Sequence, residues 1–138
     1  MAKIKHIALS TQDPEKTAAF YKEAFGLKEI RKIDSELARG LMLTDGYINI
    51  AILNFKTDEA ADIEGGTKYS GLHHIGFKVD DQEEAAEVLR KVGTSQRTER
   101  LDHVSRQEGQ EQANVEIKWK GPDGVIFDTS ETGWQGTE

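Results

Sequence analysis

The 138-residue chain comes close to repeating itself, and this constrains its fold more than any other feature. One stretch opens Ile4-Lys5-His6-Ile7-Ala8-Leu9; a second opens Leu72-His73-His74-Ile75-Gly76-Phe77. His6 and His74 are 68 residues apart, and the same offset separates Asp13 from Asp81, each of which heads a helix-like segment. Asp45-Gly46 in the first half recurs as Asp123-Gly124 in the second. Self-similarity of this kind implies two copies of one supersecondary unit.

Local signals give each copy the order β-α-β-β-β. Residues 3–10 alternate and are rich in Ile and Leu, which predicts a strand. Asp13-Pro14 supplies an N-cap acceptor with proline at the first helical position, and Gly26 is a C-cap. Ala18, Tyr21, Ala24 and Phe25 form the predicted apolar face of that helix, with Phe20 flanking it. Strands are expected at about 27–33, 37–44 and 47–54, with Asp45-Gly46 as a hairpin turn. Residues 55–70 read as a linker. The second copy has a strand over 71–79 and a helix from Asp81 to Val92 with Ala85, Val88, Leu89 and Val92 inward. A short strand near 96–101, a polar loop from Asp102 to Gln112, and strands near 113–120 and 125–130 complete it. The tail from Thr132 carries no structural signal. The expectation is a single domain over 1–138, with modules near 1–54 and 71–131.

Strand parity selects candidate site residues, because side chains alternate across a strand. With Ile7 and Leu9 against the helix, His6, Ala8 and Ser10 take the opposite face. His73, Ile75, Phe77 and Val79 are on the helix side of their strand, which leaves His74 with Gly76 opposite. In the last strand Ile126, Asp128 and Ser130 share a face. Ile48, Ile50 and Ile52 are core positions, so Asn49 points away from the helices. His6, His74, Asp128 and Asn49 are thereby assigned to the uncovered face. Two imidazoles and a carboxylate with open positions suit Fe(II), Mn(II), Zn(II), Co(II) or Ni(II). His73 has the wrong parity for this set, and His103 falls in the polar stretch. Tyr47, Phe55, Tyr69 and Trp134 are candidates to line the cleft mouth; Trp119, Phe127 and Tyr21 are read as core.

Composition excludes several classes. A net charge of −7 argues against nucleic acid, which selects for basic patches. Without cysteine the chain has neither disulfides nor thiolate ligands. No apolar run approaches a membrane span, and the N-terminus lacks a signal-like apolar region, so a cytoplasmic protein is expected.

The segments IKHIALSTQDPEKTAAFYKEAFGL, GLHHIGFKVDD and GPDGVIFDTSE, in this order, resemble the vicinal-oxygen-chelate superfamily, which includes glyoxalase I, methylmalonyl-CoA epimerase, extradiol dioxygenases and bleomycin-resistance proteins. The resemblance runs from residue 3 to about 131. It implies an α+β fold in which two βαβββ modules form a curved mixed sheet around a metal-binding cleft. It also implies that His6, His74 and Asp128 occupy the metal-ligand positions, and that the protein pairs as a homodimer. Two departures stand out. The last ligand is usually glutamate, whereas Asp128 is one methylene shorter. The Glu or Gln found on the fourth strand of glyoxalase and the epimerase is matched by parity to Asn49, a possible fourth ligand or a hydrogen-bonding neighbour of a ligand, but not a proton-transferring base.

Three functions follow as expectations. The first is a divalent-metal-dependent lyase or isomerase of glyoxalase or epimerase type acting on a small substrate with adjacent oxygens. The second is an Fe(II) ring-cleaving dioxygenase. The third is a non-catalytic protein that binds a small drug or toxin. The sequence names no general base.

Overall fold

The computed structural model describes residues 1–96, 103–105 and 114–137. Contacts divide the chain into two compact units, one of His6–His73 with Gln135–Glu138, the other of Met1–Lys5 with His74–Trp134. The architecture is α+β, with parallel and antiparallel strand pairs mixed in each unit.

In the unit around His6, strand β1 (Lys3–Ser10) leads to helix α1 (Pro14–Phe25) and then to β2 (Lys28–Asp34), β3 (Ala38–Thr44) and β4 (Asn49–Phe55). The strand order is β2-β3-β4-β1, with β1 parallel to β4 and the other pairs antiparallel. The Asp13 carboxylate accepts from the Lys16 backbone N–H, and Gly26 closes α1 in the left-handed conformation at φ 69°. Both caps are where the sequence places them. Ala18 packs with Leu41, Leu43 and Ile52, joined by Leu9, Tyr21 and Ile50, which confirms the helix-side parity. The opposite face carries Ala8, Met42 and Ala51 with Leu53. Phe25 departs from expectation: it is 69% exposed, so the apolar face of α1 that is buried is narrower than predicted.

The predicted linker 55–70 is more structured than expected. It contains helix α2 (Asp58–Ala61), capped by the Thr57 hydroxyl, and a 3-10 turn over Gly66–Lys68. Ala38, Phe55 and Ala61 form a small core there, so Phe55 is a packing residue and not part of a cleft mouth. The polar composition of this stretch hid a single helical turn, held by the Thr57 cap and by Ala61 packed against Phe55.

The second unit contains β5 (Gly71–Lys78, from His74), helix α3 (Gln82–Lys91), β6 (Ser95–Gln96), β7 (His103–Ser105), β8 (Asn114–Lys120) and β9 (Ile126–Ser130). Parallel β5 and β9 are followed in order by β8 and β6. The stretch Asp102–Gln112, predicted as a loop, includes β7, which pairs antiparallel with β8. A backbone ladder needs no apolar signal, so a polar strand passes unseen in sequence. The remainder of that loop, and most of the strand expected near 96–101, lie outside the described residues.

Helix α3 differs most from its counterpart. Ala85, Val88 and Leu89 do turn towards Ile75, Phe77 and Phe127, but across a cavity of about 690 Å³. Val88, which lines that cavity, remains exposed; Val92, expected to face inward, is exposed and does not line it, and Ala86 is the helix's buried residue. The tail is also better ordered than its composition suggests: Trp134 is buried, with its indole N–H donating to Glu116.

Candidate metal centre

Strand register builds one polar cluster in each unit. In the first unit the parallel pairing of β1 with β4 sets His6 directly beside Asn49. His6 Nδ1 lies 2.7 Å from Asn49 Oδ1, while Asn49 Nδ2 donates to the Gln135 carbonyl at 3.0 Å. The second bond fixes which end of the amide is oxygen. Nδ1 therefore carries the proton, and Nε2, on the far side of the ring, is the imidazole's electron-pair donor. Both residues are buried.

In the second unit His74 and Asp128 come together. His74 Nε2 is 3.1 Å from Asp128 Oδ2, and the carboxylate is fully buried. That separation is about what two donors span when each sits roughly 2.1 Å from one ion. Lys118 is registered opposite Asp128 across β8 and β9, with Nζ 3.1 Å from Oδ1 and 3.3 Å from Oδ2. His6, His74 and Asp128 are each buried in their own unit, and each carries a side-chain atom of a type that binds divalent metals.

The registers also show what Asn49 is not. In β5 and β9, Asp128 stands opposite Gly76, two residues beyond His74. The position two beyond His6 is Ala8, and its partner in β4 is Ala51. The counterpart of Asp128 in the first copy is thus an alanine, which cannot ligate. Asn49 occupies a different register and spends its oxygen on His6.

His73 faces away from this chemistry. Its Nε2 is 2.6 Å from the Ala61 carbonyl and its ring packs 4.6 Å from that of Phe55, so it is a satisfied core histidine. His103 lies on β7. Of the proposed mouth residues, Tyr47 is exposed and Tyr69 donates its hydroxyl proton to the Leu72 carbonyl.

Glu116 is the residue that sequence reading missed. Burial and the nearby Asp128 charge push its carboxyl up to about 7, with Lys118 and the Trp134 indole N–H opposing the shift. A carboxyl with that value changes protonation near neutral pH. Parity along β8 sets Glu116 on the same side as Lys118, a signal that could have found it had the register of β8 against β9 been known.

This combination of paired α+β modules and a histidine–carboxylate donor set defines a class, and the comparisons identify it. The chain belongs to the glyoxalase/bleomycin resistance protein/dioxygenase superfamily, whose family model matches residues 3–128. Among curated proteins it is similar to a probable trivalent organoarsenical cleaving enzyme from Bacillus subtilis (strain 168), 32% identical over 90 residues. That alignment covers 65% of this chain and 54% of the relative, so the chain spans about half the relative's length. Among solved structures it is similar to a hypothetical protein from Bacillus halodurans C-125, at TM-score 0.74 and 18% identity, covering 97% of this chain and 96% of that one. It is also similar to a variant of Streptomyces coelicolor methylmalonyl-CoA epimerase in complex with 2-nitronate-propionyl-CoA, at TM-score 0.68 and 20% identity, covering 93% and 95%. At those identities the structural likeness establishes the fold alone.

Proposed function

We propose that the protein is a divalent-metal-dependent lyase or isomerase of glyoxalase or epimerase type, acting on a small substrate with adjacent oxygens. His6, His74 and Asp128 hold one ion, and Asn49 acts behind His6 as its hydrogen-bonding support. The observation that carries the reading is the buried His74–Asp128 pair, set by strand register in a chain of this superfamily. When bound, a divalent ion supplies Lewis acidity to a chelated pair of substrate oxygens. The protein's own part is to orient the imidazoles, exclude water and keep a carboxylate poised. His6 Nδ1–H donating to Asn49 is the arrangement that fixes the tautomer of a ligating imidazole.

A second reading is favoured by a specific observation. With Ala51 at the position that mirrors Asp128, the donor set is two histidines and one carboxylate, the combination used by non-haem Fe(II) oxygenases. A dioxygenase therefore stands as the alternative. The relative's organoarsenical chemistry transfers less readily, because trivalent arsenic is a soft centre and this chain has no cysteine thiolate to capture it. Hard, oxygen-bearing substrates fit the side chains better. A purely sequestering role gains nothing from a donor set of this kind.

The test is elemental analysis with anaerobic Fe(II) reconstitution, followed by panels of thiohemiacetals, acyl thioesters and catechols. His74→Ala should abolish stoichiometric metal binding in calorimetry with the fold intact, while His73→Ala should retain it. Equal binding by both variants would overturn the assignment. Turnover of catechols with Fe(II) and oxygen consumption would select the dioxygenase.

A further inference from the structure

The cluster around Asp128 holds one cation that three metal donors do not require. Lys118 Nζ approaches both oxygens of Asp128, at 3.1 and 3.3 Å, while His74 Nε2 approaches Oδ2. The carboxylate is 0% exposed and the lysine side chain 29%, so the ammonium reaches a buried anion from the more solvated side. Glu116, two residues earlier on β8, is bonded to the Trp134 indole N–H at 2.6 Å.

The charges decide what such a site needs. In the metal-free protein Lys118 neutralises Asp128, and Glu116 adds at most one negative charge. A divalent ion on Asp128 adds two positive charges, so the loaded cluster becomes net positive within a chain of net charge −7. Uncompensated charge in a largely buried site is costly and selects an opposite charge. The flexible four-carbon stem of lysine lets its ammonium leave a carboxylate that has acquired another cation and move a few ångströms to a new partner.

We propose that Lys118 is the substrate-anchoring residue: it neutralises Asp128 in the metal-free protein and, once a divalent ion takes that carboxylate, binds an anionic group of the substrate. The substrate class is then a small carboxylate-bearing molecule whose adjacent oxygens chelate the ion. This rests on the metal-centre reading above.

Calorimetry of the full chain with Mn(II), then of the Mn(II)-loaded protein with two chelating probes, tests it. Oxalate presents two carboxylates; acetohydroxamate chelates through adjacent oxygens without one. Lys118→Met should bind Mn(II) about tenfold tighter, because a competing cation is gone. It should bind oxalate about tenfold more weakly while acetohydroxamate stays within about twofold, and Lys118→Arg should restore oxalate binding. Unchanged oxalate affinity in Lys118→Met, or equal loss of both probes, would overturn the anchoring role. Unchanged or weaker Mn(II) binding by Lys118→Met would overturn its role as the neutralising cation. A wild-type protein that binds no Mn(II), Fe(II), Co(II), Ni(II) or Zn(II) would overturn the metal-centre reading itself, a result distinct from the others.

Discussion

Asn49 and Glu116 each touch one of the proposed ligands, Asn49 at His6 and Glu116 at Asp128. Asn49 uses its oxygen to hold His6 Nδ1–H and its amide to hold the Gln135 carbonyl. Asn49→Ala should therefore weaken metal binding about 10- to 100-fold without unfolding the chain, as loss of such support does elsewhere. Competition against a fluorescent chelator measures this, and wild-type affinity in the variant would show that His6 needs no such support. Glu116 makes a pH prediction. Its carboxyl is raised to about 7 in the folded protein, above the ordinary value of 4.5. Between those values the folded state holds the proton more firmly than the unfolded chain. Its stabilising contribution is complete at the acid end of that window and is lost as pH rises through 7. Glu116→Gln should flatten this dependence, so that the metal-free variant gains stability relative to wild type at pH 8 and not at pH 5. Urea titrations across that range, with chelator present, would reveal it; parallel curves for wild type and variant would refute it.

At the scale of elements, caps and close approaches carry the local code. Asp13 accepts from Lys16 N–H at the start of α1, so Asp13→Ala should cost about 1 kcal/mol, read from the denaturation midpoint at constant slope. Gly40 on β3 is more demanding. A methyl group there would lie 1.8 Å from the Ile52 carbonyl oxygen of β4, a backbone atom that cannot swing aside. Gly40→Ala should destabilise by roughly 1–3 kcal/mol or more, visible as a lowered melting temperature. A variant melting with the wild type would show that β3 and β4 part easily. Helix α3 teaches the opposite lesson, since its apolar residues were legible at 3.6-residue spacing and their distance from the sheet was not. Periodicity reports which side of a helix is apolar, and the cavity of about 690 Å³ beneath it depends on how the neighbouring strands hold the helix.

For the whole molecule, the superfamily resemblance carries the expectation of a homodimer, since sheets with open edges favour pairing. Light scattering should give about twice the chain mass of 15.4 kDa at micromolar concentration, and a value at the chain mass would contradict pairing. No helix among the described residues is long and apolar enough to cross a membrane. The repeat, the caps of α1 and the parity of β1, β4, β5 and β9 were legible in the chain, and with them the strand faces on which His6, His74 and Asp128 stand, because alternation, capping and pseudo-symmetry are local properties written in residue order. The ordered turn within 55–70, the polar strand β7, the burial of Trp134 and the stand-off of α3 were not, because each depends on a partner distant in sequence. Register was decided only in three dimensions as well. A strand can slide by two residues without changing its parity, so sequence could say that Asn49 and Asp128 share a kind of face, but only the pairing of β1 with β4 and of β5 with β9 shows that Ala51, and not Asn49, is the counterpart of Asp128.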